Sequence, residues 1–150
     1  MIDTLILKIF AMNKISRRKI LHEYAKLCIG KDMSPIEDEL GCAEALNNVV
    51  QRALGKPIGG GASTYYMAKH LTWNLRNVRV YEPKPGDIII SPTGHGNGKI
   101  RGHVGIMGEN ETIMSNNSYN SKWESNYTLG KWKAHYQNFG GLPVKFYRVT

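Results

Sequence analysis

The hydrophobic pattern of the chain changes near residue 77, and this change limits the folds that are open to it. Before that point, apolar residues recur at the three- and four-residue spacing of amphipathic helices. After it, short runs rich in Val, Ile and Tyr are separated by turns. Helices first and strands second, without regular alternation, favour an α+β fold over a parallel α/β fold. We expect one domain, with residues 1–76 mainly helical and residues 77–150 mainly β.

Four helices and five strands are predicted within this division. The predicted helices are 1–12, 16–30, 41–55 and 63–75. The first rests on the helical spacing of its apolar residues, and the other three also have a capping residue or a glycine at one end. The strands are expected to form an antiparallel sheet, and their segments are 78–81, 87–91, 103–107, 112–115 and 144–149. Residues 92–102 form a loop that contains four glycines.

The charge of the chain indicates attraction to polyanions. The formal net charge is +8, which suits nucleic acid, teichoic acids or the anionic bacterial envelope. Apart from Arg17, Arg18 and Lys19, the basic residues are scattered, so a solvated basic surface explains the charge equally well. Because 41% of the residues are hydrophobic and 21% are charged, an intrinsically disordered chain is excluded.

Export signals and metal sites are not expected from the sequence. Lys8 interrupts the apolar run of residues 1–12, no small-residue cleavage site follows it, and the run is too short to cross a membrane. Two cysteines are too few for a secreted disulfide scaffold. No zinc or calcium motif is recognisable. We expect a protein that is made in the cytoplasm and uses no cofactor or metal.

Cys42 is the better of the two candidates for a nucleophile. It follows Gly41 and opens a predicted helix, where free backbone N–H groups lower the pKa of a thiol and can donate to an oxyanion. Cys28 lies on the apolar face of its helix and far from the N-terminus, which is typical of a small buried core residue.

His103 has the most favourable setting for a general base among the five histidines. It begins a predicted strand, and its side chain shares a face with Gly105, which leaves room for a helix end and a substrate. The other histidines fall on helices, in the glycine-rich loop or in an aromatic segment, and they are His22, His70, His95 and His135. A structural role is the default for any one histidine, and a wider pattern is needed to favour His103.

Three motifs supply that pattern through a resemblance. They are Gly41-Cys42-Ala43-Glu44, Pro85-Gly86-Asp87-Ile88-Ile89 and Gly102-His103-Val104-Gly105-Ile106. Their order and spacing resemble the CHAP and NlpC/P60 peptidases of the papain-like superfamily, from about residue 20 to the C-terminus. Residues 40–50 and 113–140 resemble single-domain endolysins of bacteriophages. The resemblance implies a papain-like fold, in which N-terminal helices pack on an antiparallel sheet.

The resemblance also implies catalytic roles. Cys42 attacks an amide carbonyl as a thiolate, and His103 takes the thiol proton and later protonates the leaving amine. A polar residue on the following strand orients the imidazole; Asn116 is the first candidate and Asn117 the alternative, because they point to opposite faces of a regular strand. Many CHAP domains carry a glutamate there, so asparagine is a departure. Asp87 is assigned to a turn and not to chemistry.

A substrate groove is expected from three segments: the 59–64 loop, the loop of His95 and the aromatic segment 119–136. The residues expected to bind substrate are Gly60, Thr64, His95, Trp123 and Trp132. Tryptophan and tyrosine side chains could stack on sugar or cover a peptide. An interpretation of equal weight is that these aromatic residues belong to the core and the ordinary surface.

The resemblance implies a peptidoglycan hydrolase of the phage lysin type. The reaction is that of an endopeptidase of the stem peptide or of an N-acetylmuramoyl-L-alanine amidase, since both transfer an acyl group from an amide to the same thiol. Bacterial peptidoglycan is the expected partner, with anionic wall polymers as further ligands and no stable nucleic-acid partner. We expect a monomer that reaches the cell wall through a holin or as part of a virion.

Two alternatives remain open at this stage. The first is a basic module that binds an envelope polymer or nucleic acid on an inactive papain-like fold. The second is a cysteine peptidase or deamidase that acts on a protein. A Cys42→Ala variant separates the first alternative from an enzyme, because a binding module functions without the thiol.

Overall fold

The computed structural model describes residues 17–35, 41–96 and 100–150. It has an α+β fold in which helices precede a six-stranded antiparallel sheet, as the sequence predicts. The expected helix of residues 1–12 and the candidate cap at Ser16 lie outside the described residues. None of the described helices is long and apolar enough to cross a membrane.

Three helices occupy the first half of the described chain, and their bounds agree with the prediction to within about three residues. They are α1 (Arg17–Leu27), α2 (Gly41–Leu54) and α3 (Thr64–Trp73). The Ser63 side chain caps α3 by accepting a hydrogen bond of 3.2 Å from the backbone N–H of Tyr66. After α2, Gly55 has a φ of +87°, a left-handed conformation that glycine adopts without a steric penalty.

Six strands form the sheet in the order β1-β6-β2-β3-β4-β5, and every neighbouring pair is antiparallel. They are β1 (Asn77–Val80), β2 (Ile88–Ser91), β3 (His103–Met107), β4 (Thr112–Asn117), β5 (Lys122–Thr128) and β6 (Lys145–Val149). Five correspond to predicted strands. The strand β5 was not predicted, because its sequence is mostly polar and contains only two large aromatic residues.

A short helix that was also not predicted follows β5. The helix α4 (Leu129–Trp132) begins where the Thr128 side chain accepts a hydrogen bond from the backbone N–H of Lys131. It continues into a π-helical segment, Lys133–Phe139. Such segments are rare and occur frequently at functional sites. Here the segment brings Tyr136 onto the sheet.

Two hydrophobic cores cover the two faces of the sheet. The three isoleucines of β2 divide between them: Ile88 and Ile90 pack with the helices α1, α2 and α3, and Ile89 packs with α4 and the π-helical segment. All three are fully buried, and each contributes roughly 1.5–3 kcal/mol by leaving water. The sheet is therefore a central layer with apolar partners on both sides.

Asp87 stabilises the turn before β2, as the sequence predicts. Its carboxylate is fully buried and accepts a hydrogen bond of 2.7 Å from the backbone N–H of Lys84. Arg148 of β6 donates two further bonds, from Nε to Oδ1 at 2.8 Å and from Nη2 to Oδ2 at 2.7 Å. This bidentate pair ties the turn to β6, the strand beside β2 in the sheet.

Candidate active site

Cys42 is the second residue of α2, and its thiol is free and half-buried. The start of α2 lies against β3 and β4. Cys28 is also free, but it is 1% exposed and belongs to the core between the helices and the sheet. The prediction that Cys28 is a core residue is confirmed, and Cys42 is the thiol that a ligand could reach.

A pocket of about 250 Å³ lies where the start of α2 meets the ends of β3, β4 and β5. It brings Cys42 and His103 together. Its lining residues are Gly41, Cys42, Arg101, Gly102, His103, Asn116, Asn117, Ser118, Tyr119, Asn126, Tyr127 and Tyr136. A thiol at a helix start and an imidazole that line one surface pocket are the two groups that thiol-dependent acyl transfer uses.

The His103 ring packs against a cluster of aromatic side chains in which Trp132 and Tyr136 also contact each other, with centroids 4.7 Å apart. Its centroid lies 5.2 Å from that of Trp132, with 27° between the planes, and 5.6 Å from that of Tyr136, with 20° between the planes. Tyr127 contacts it at a tilt, with centroids 5.8 Å apart. Burial, and to a smaller extent the charge of His135, lowers the pKa of His103 to about 4. The imidazole is therefore neutral at pH 7.

A hydrogen-bond chain determines which ring nitrogen of His103 carries the proton. Its Nε2 lies 2.9 Å from the hydroxyl of Ser115, a fully buried residue. That hydroxyl has one proton, which it donates to Oδ1 of Asn126 at 2.6 Å. Ser115 must then accept from His103, so Nε2 carries the hydrogen and Nδ1 has a free lone pair. Nδ1 is the atom that could accept a proton from a thiol.

The prediction that Asn116 or Asn117 orients the imidazole is wrong, because Ser115 holds that position. Asn117 shares a sheet face with Ser115, but its Nδ2 donates to Glu124 at 3.0 Å. Asn116 lies on the opposite face, so the expectation that the two asparagines diverge is confirmed. Strand register decides the matter: with Ile106 opposite Met114, the alternation of faces brings Ser115 beside His103.

The thiol of Cys42 is protonated in the resting site. Burial raises its pKa to about 11, and this effect outweighs the backbone N–H groups of Ala43, Cys42 and Val104 and the charge of Arg101, which lower it. With the pKa of the thiol raised and that of His103 lowered, the resting pair is a neutral thiol and a neutral imidazole. The thiolate therefore forms as the base removes the proton during attack.

The two tryptophans expected to bind substrate are buried, and that prediction is corrected. Trp123 is 0% exposed, and its Nε1 donates to the backbone oxygen of Ala25 at 3.1 Å, which ties β5 to α1. Trp132 is also 0% exposed and donates from Nε1 to the hydroxyl of Ser91 at 3.0 Å. Neither side chain reaches the surface, and Trp132 stacks against the His103 ring inside the protein.

The other three residues expected to bind substrate lie near the start of α3, and none lines the pocket of Cys42. Gly60 contacts the α3 backbone so closely that a Cβ atom there would lie 2.4 Å from a backbone nitrogen. Thr64 is buried, and its hydroxyl accepts a hydrogen bond of 3.0 Å from the backbone N–H of Thr93. His95 is half-buried, with its ring 5.6 Å from that of Tyr65.

Two residues that the sequence did not single out belong to the site, Ser115 and Asn126, and Tyr136 of the expected aromatic segment also lines the pocket. Asn126 lies on the strand that was not predicted, and Tyr136 lies on the π-helical segment. Burial raises the pKa of Tyr136, so its phenol stays protonated beside the His103 ring. A period-two pattern through Trp123, Ser125 and Tyr127 was a weak signal for β5.

Within the described ranges, no group of three His, Cys, Asp or Glu side chains is arranged to hold a metal ion. A scan against models of known protein families finds no match for this chain, and a search of curated proteins finds none.

Proposed function

We propose that the protein is a cysteine hydrolase of papain-like type that cleaves an amide bond of the peptidoglycan stem peptide. The observation that carries the proposal is the pairing, in one surface pocket, of a thiol at a helix start with a neutral imidazole whose Nδ1 is free. A nucleophile, a base and a group that orients the base are the minimum for acyl transfer to sulfur.

The reaction proceeds in two halves. In the first, the sulfur of Cys42 forms a bond to the amide carbon while His103 Nδ1 takes the thiol proton, and the carbonyl π electrons move to oxygen. Collapse re-forms the carbonyl, breaks the C–N bond and passes the Nδ1 proton to the amine. In the second, the oxygen of water bonds to the thioester carbon while Nδ1 takes a water proton. The C–S bond then breaks, the carbonyl re-forms as a carboxylic acid, and Nδ1 passes its proton to sulfur to regenerate the thiol.

The size of the pocket, the positive charge of the chain and the motifs around Cys42 and His103 favour a cell-wall peptide as the substrate. A pocket of about 250 Å³ is small, and it suits a short extended peptide better than the folded surface of a protein. The net charge of +8 attracts the chain to anionic wall polymers, and Arg101 places one positive charge on the lining. The motifs around Cys42 and His103 resemble those of wall peptidases, which makes the stem peptide the substrate of choice.

Purified sacculi of several cell-wall types provide the test. We expect the wild type to release soluble fragments and Cys42→Ala to release none, with products identified by mass spectrometry. New amino termini within the stem peptide indicate an endopeptidase, and free lactyl groups with intact released peptides indicate an amidase. Cys28→Ala is the matched control, because it removes the core thiol and leaves the pocket unchanged.

Intact sacculi after treatment with wild-type protein would overturn the proposal. If both wild type and Cys42→Ala sedimented with those intact sacculi, the result would support a basic binding module instead. Equal fragment release by wild type and Cys42→Ala would also overturn it, since the thiol would then have no part in the reaction.

A further inference from the structure

We propose that Asn116 is a catalytic residue that donates a hydrogen bond from its side-chain amide to the oxyanion formed on the substrate. The inference rests on the proposed function, because it concerns the carbonyl that Cys42 attacks. It assigns to Asn116 a role on the nucleophile's side of the sheet, distinct from the orientation of His103.

The position of Asn116 in β4 supports this role. The strand turns Ser115 toward His103 and turns Asn116 to the helix-covered face, on which the start of α2 lies. Asn116 is 4% exposed, yet it lines the same pocket as Cys42. Its side chain is thus buried among protein atoms and still reaches the space that a substrate would fill.

The Asn116 amide makes one hydrogen bond to a described residue. Its Oδ1 accepts a long hydrogen bond of 3.5 Å from the hydroxyl of Ser34, which directs Nδ2 toward the start of α2. Nδ2 lies 2.9 Å from the point that a Cβ atom on Gly41 would occupy. Among the described residues, this Nδ2 donates to no acceptor. Because Asn116 lines the pocket of Cys42, this donor is available to a carbonyl oxygen bound there.

A second donor lies beside it. The first backbone N–H groups of a helix have no partner inside the helix, and in α2 these include the N–H of Cys42. A carbonyl oxygen placed between the Cys42 N–H and Asn116 Nδ2 would receive two hydrogen bonds as it becomes negative. Donors that are already in place for this charge stabilise the transition state more than the ground state.

Gly41 keeps the space for this arrangement. A Cβ atom at this position would lie 2.7 Å from the Ser34 hydroxyl and 2.9 Å from Asn116 Nδ2, closer than real Cβ contacts come. An alanine there would displace the donor without removing it. Gly41 and Ser34 are therefore positioning residues for the Asn116 amide.

The first test compares full-length wild type and Asn116→Ala on soluble stem-peptide fragments. We expect kcat to fall by about 10²–10³-fold with little change in KM, the loss typical of one oxyanion donor. Gly41→Ala should give a loss of similar size. In the double variant the losses should not add, because both changes remove the same hydrogen bond.

The second test separates an oxyanion donor from a structural residue. Alkylation of Cys42 by iodoacetamide forms no oxyanion, whereas a peptide aldehyde forms a tetrahedral adduct with a charged oxygen. We expect Asn116→Ala to weaken aldehyde inhibition by at least 10-fold and to leave the alkylation rate within about twofold, since only the adduct uses the donor. Asn47→Ala is the matched control: it removes another buried asparagine amide, one bonded to Gly59 and Gly61, and should not weaken the aldehyde selectively.

Two outcomes overturn the proposal. Equal effects of Asn116→Ala on alkylation and on aldehyde inhibition would assign the residue to structure, and no effect on kcat would remove it from the reaction. Either result leaves the proposed hydrolase intact as long as Cys42→Ala is inactive. Activity in Cys42→Ala would instead refute the hydrolase mechanism itself, so the two failures are distinguishable.

Discussion

The Nε2 atom of His103 lies 2.9 Å from the hydroxyl of Ser115, and this contact makes a buried strand serine the partner of the imidazole. The two residues lie on neighbouring antiparallel strands, β3 and β4. A serine hydroxyl both accepts and donates, so it can accept a hydrogen bond from Nε2–H and donate its own to Oδ1 of Asn126. A carboxylate at this place would add a negative charge and favour the imidazolium; a hydroxyl leaves the ring neutral.

Ser115→Ala tests this relationship. The change leaves a buried Nε2–H of His103 without an acceptor, which costs about 1–3 kcal/mol and frees the ring to adopt the other tautomer. We expect kcat to fall by about 10- to 100-fold, since a misplaced base is costly in reactions that depend on orientation. Steady-state kinetics on wall fragments measures the effect, and Ser125→Ala, an exposed change on β5, is the control. Unchanged kcat would show that the hydroxyl does not orient the base.

The pH dependence of activity follows from the lowered pKa of His103. The free base is the reactive form, so kcat/KM should fall only as pH drops toward about 4, where the imidazole takes up a proton. The thiol of Cys42 has a pKa of about 11, so its ionisation causes no change in kcat/KM near neutral pH. We expect a flat profile from about pH 5.5 to pH 9, with the fold followed by circular dichroism. An acid limb near pH 6.5 would mean that the imidazole titrates with its ordinary pKa.

Stability should also depend on the protonation of His103. The unfolded chain binds this proton below pH 6.5, but the folded protein binds it only below about 4. Stability is therefore lost as pH falls from 6.5 to 4, by up to about 3 kcal/mol at the low end. Urea denaturation of wild type and His103→Gln at pH 7 and pH 4.5 measures the difference. An equal loss of stability in both proteins would assign the acid sensitivity to other groups.

Trp132 is expected to act through packing. Trp132→Ala removes a fully buried side chain and should lower the free energy of unfolding by about 3–5 kcal/mol. Trp132→Phe keeps a ring beside His103 but leaves the Ser91 hydroxyl without its indole donor, so we expect a loss of about 1–3 kcal/mol. Thermal and urea denaturation give both values. Equal stability of wild type and Trp132→Ala would contradict the observed burial.

The pair of Asp87 and Arg148 should matter for stability and not for chemistry. Arg148→Met leaves a fully buried carboxylate without its bidentate partner, which we expect to cost about 3–5 kcal/mol. Activity per folded molecule should be unchanged, because neither residue lines the pocket of Cys42. Urea denaturation and kcat, measured on the same samples, test both statements. A fall in kcat under conditions in which the variant is fully folded would contradict the expectation of unchanged activity.

Local signals in the sequence were enough to predict α2 and β3. A glycine at each end sets the span of α2, and the apolar run that follows His103 gives β3 with both of its bounds correct. The strand β5 carries no comparable signal, since Lys-Trp-Glu-Ser-Asn-Tyr-Thr becomes a strand through pairing with β4. Asn126 could not be placed without it.

The orienting residue was misassigned for a related reason. Whether Ser115 or Asn116 faces His103 depends on the register of β4 against β3, and a slip of one residue exchanges the faces. The connection between the strands contains Asn110 and Glu111 with φ of 54° and 57°, a tight conformation that fixes this register. The sequence predicted the ends of both strands at this turn, but it did not reveal how the residues of β4 align with those of β3.

The two hydrophobic cores have a consequence for the reacting pair. Cys42 rests on the core beneath the helices, whereas the rings that hold His103 belong to the core on the opposite face. Sulfur and imidazole are thus carried by two separately packed layers, and both line the pocket at the end of the sheet. A substitution that enlarges or shrinks a side chain in one core would move Cys42 relative to His103. The distance between the sulfur and the imidazole can thus change without any change in a residue that lines the pocket.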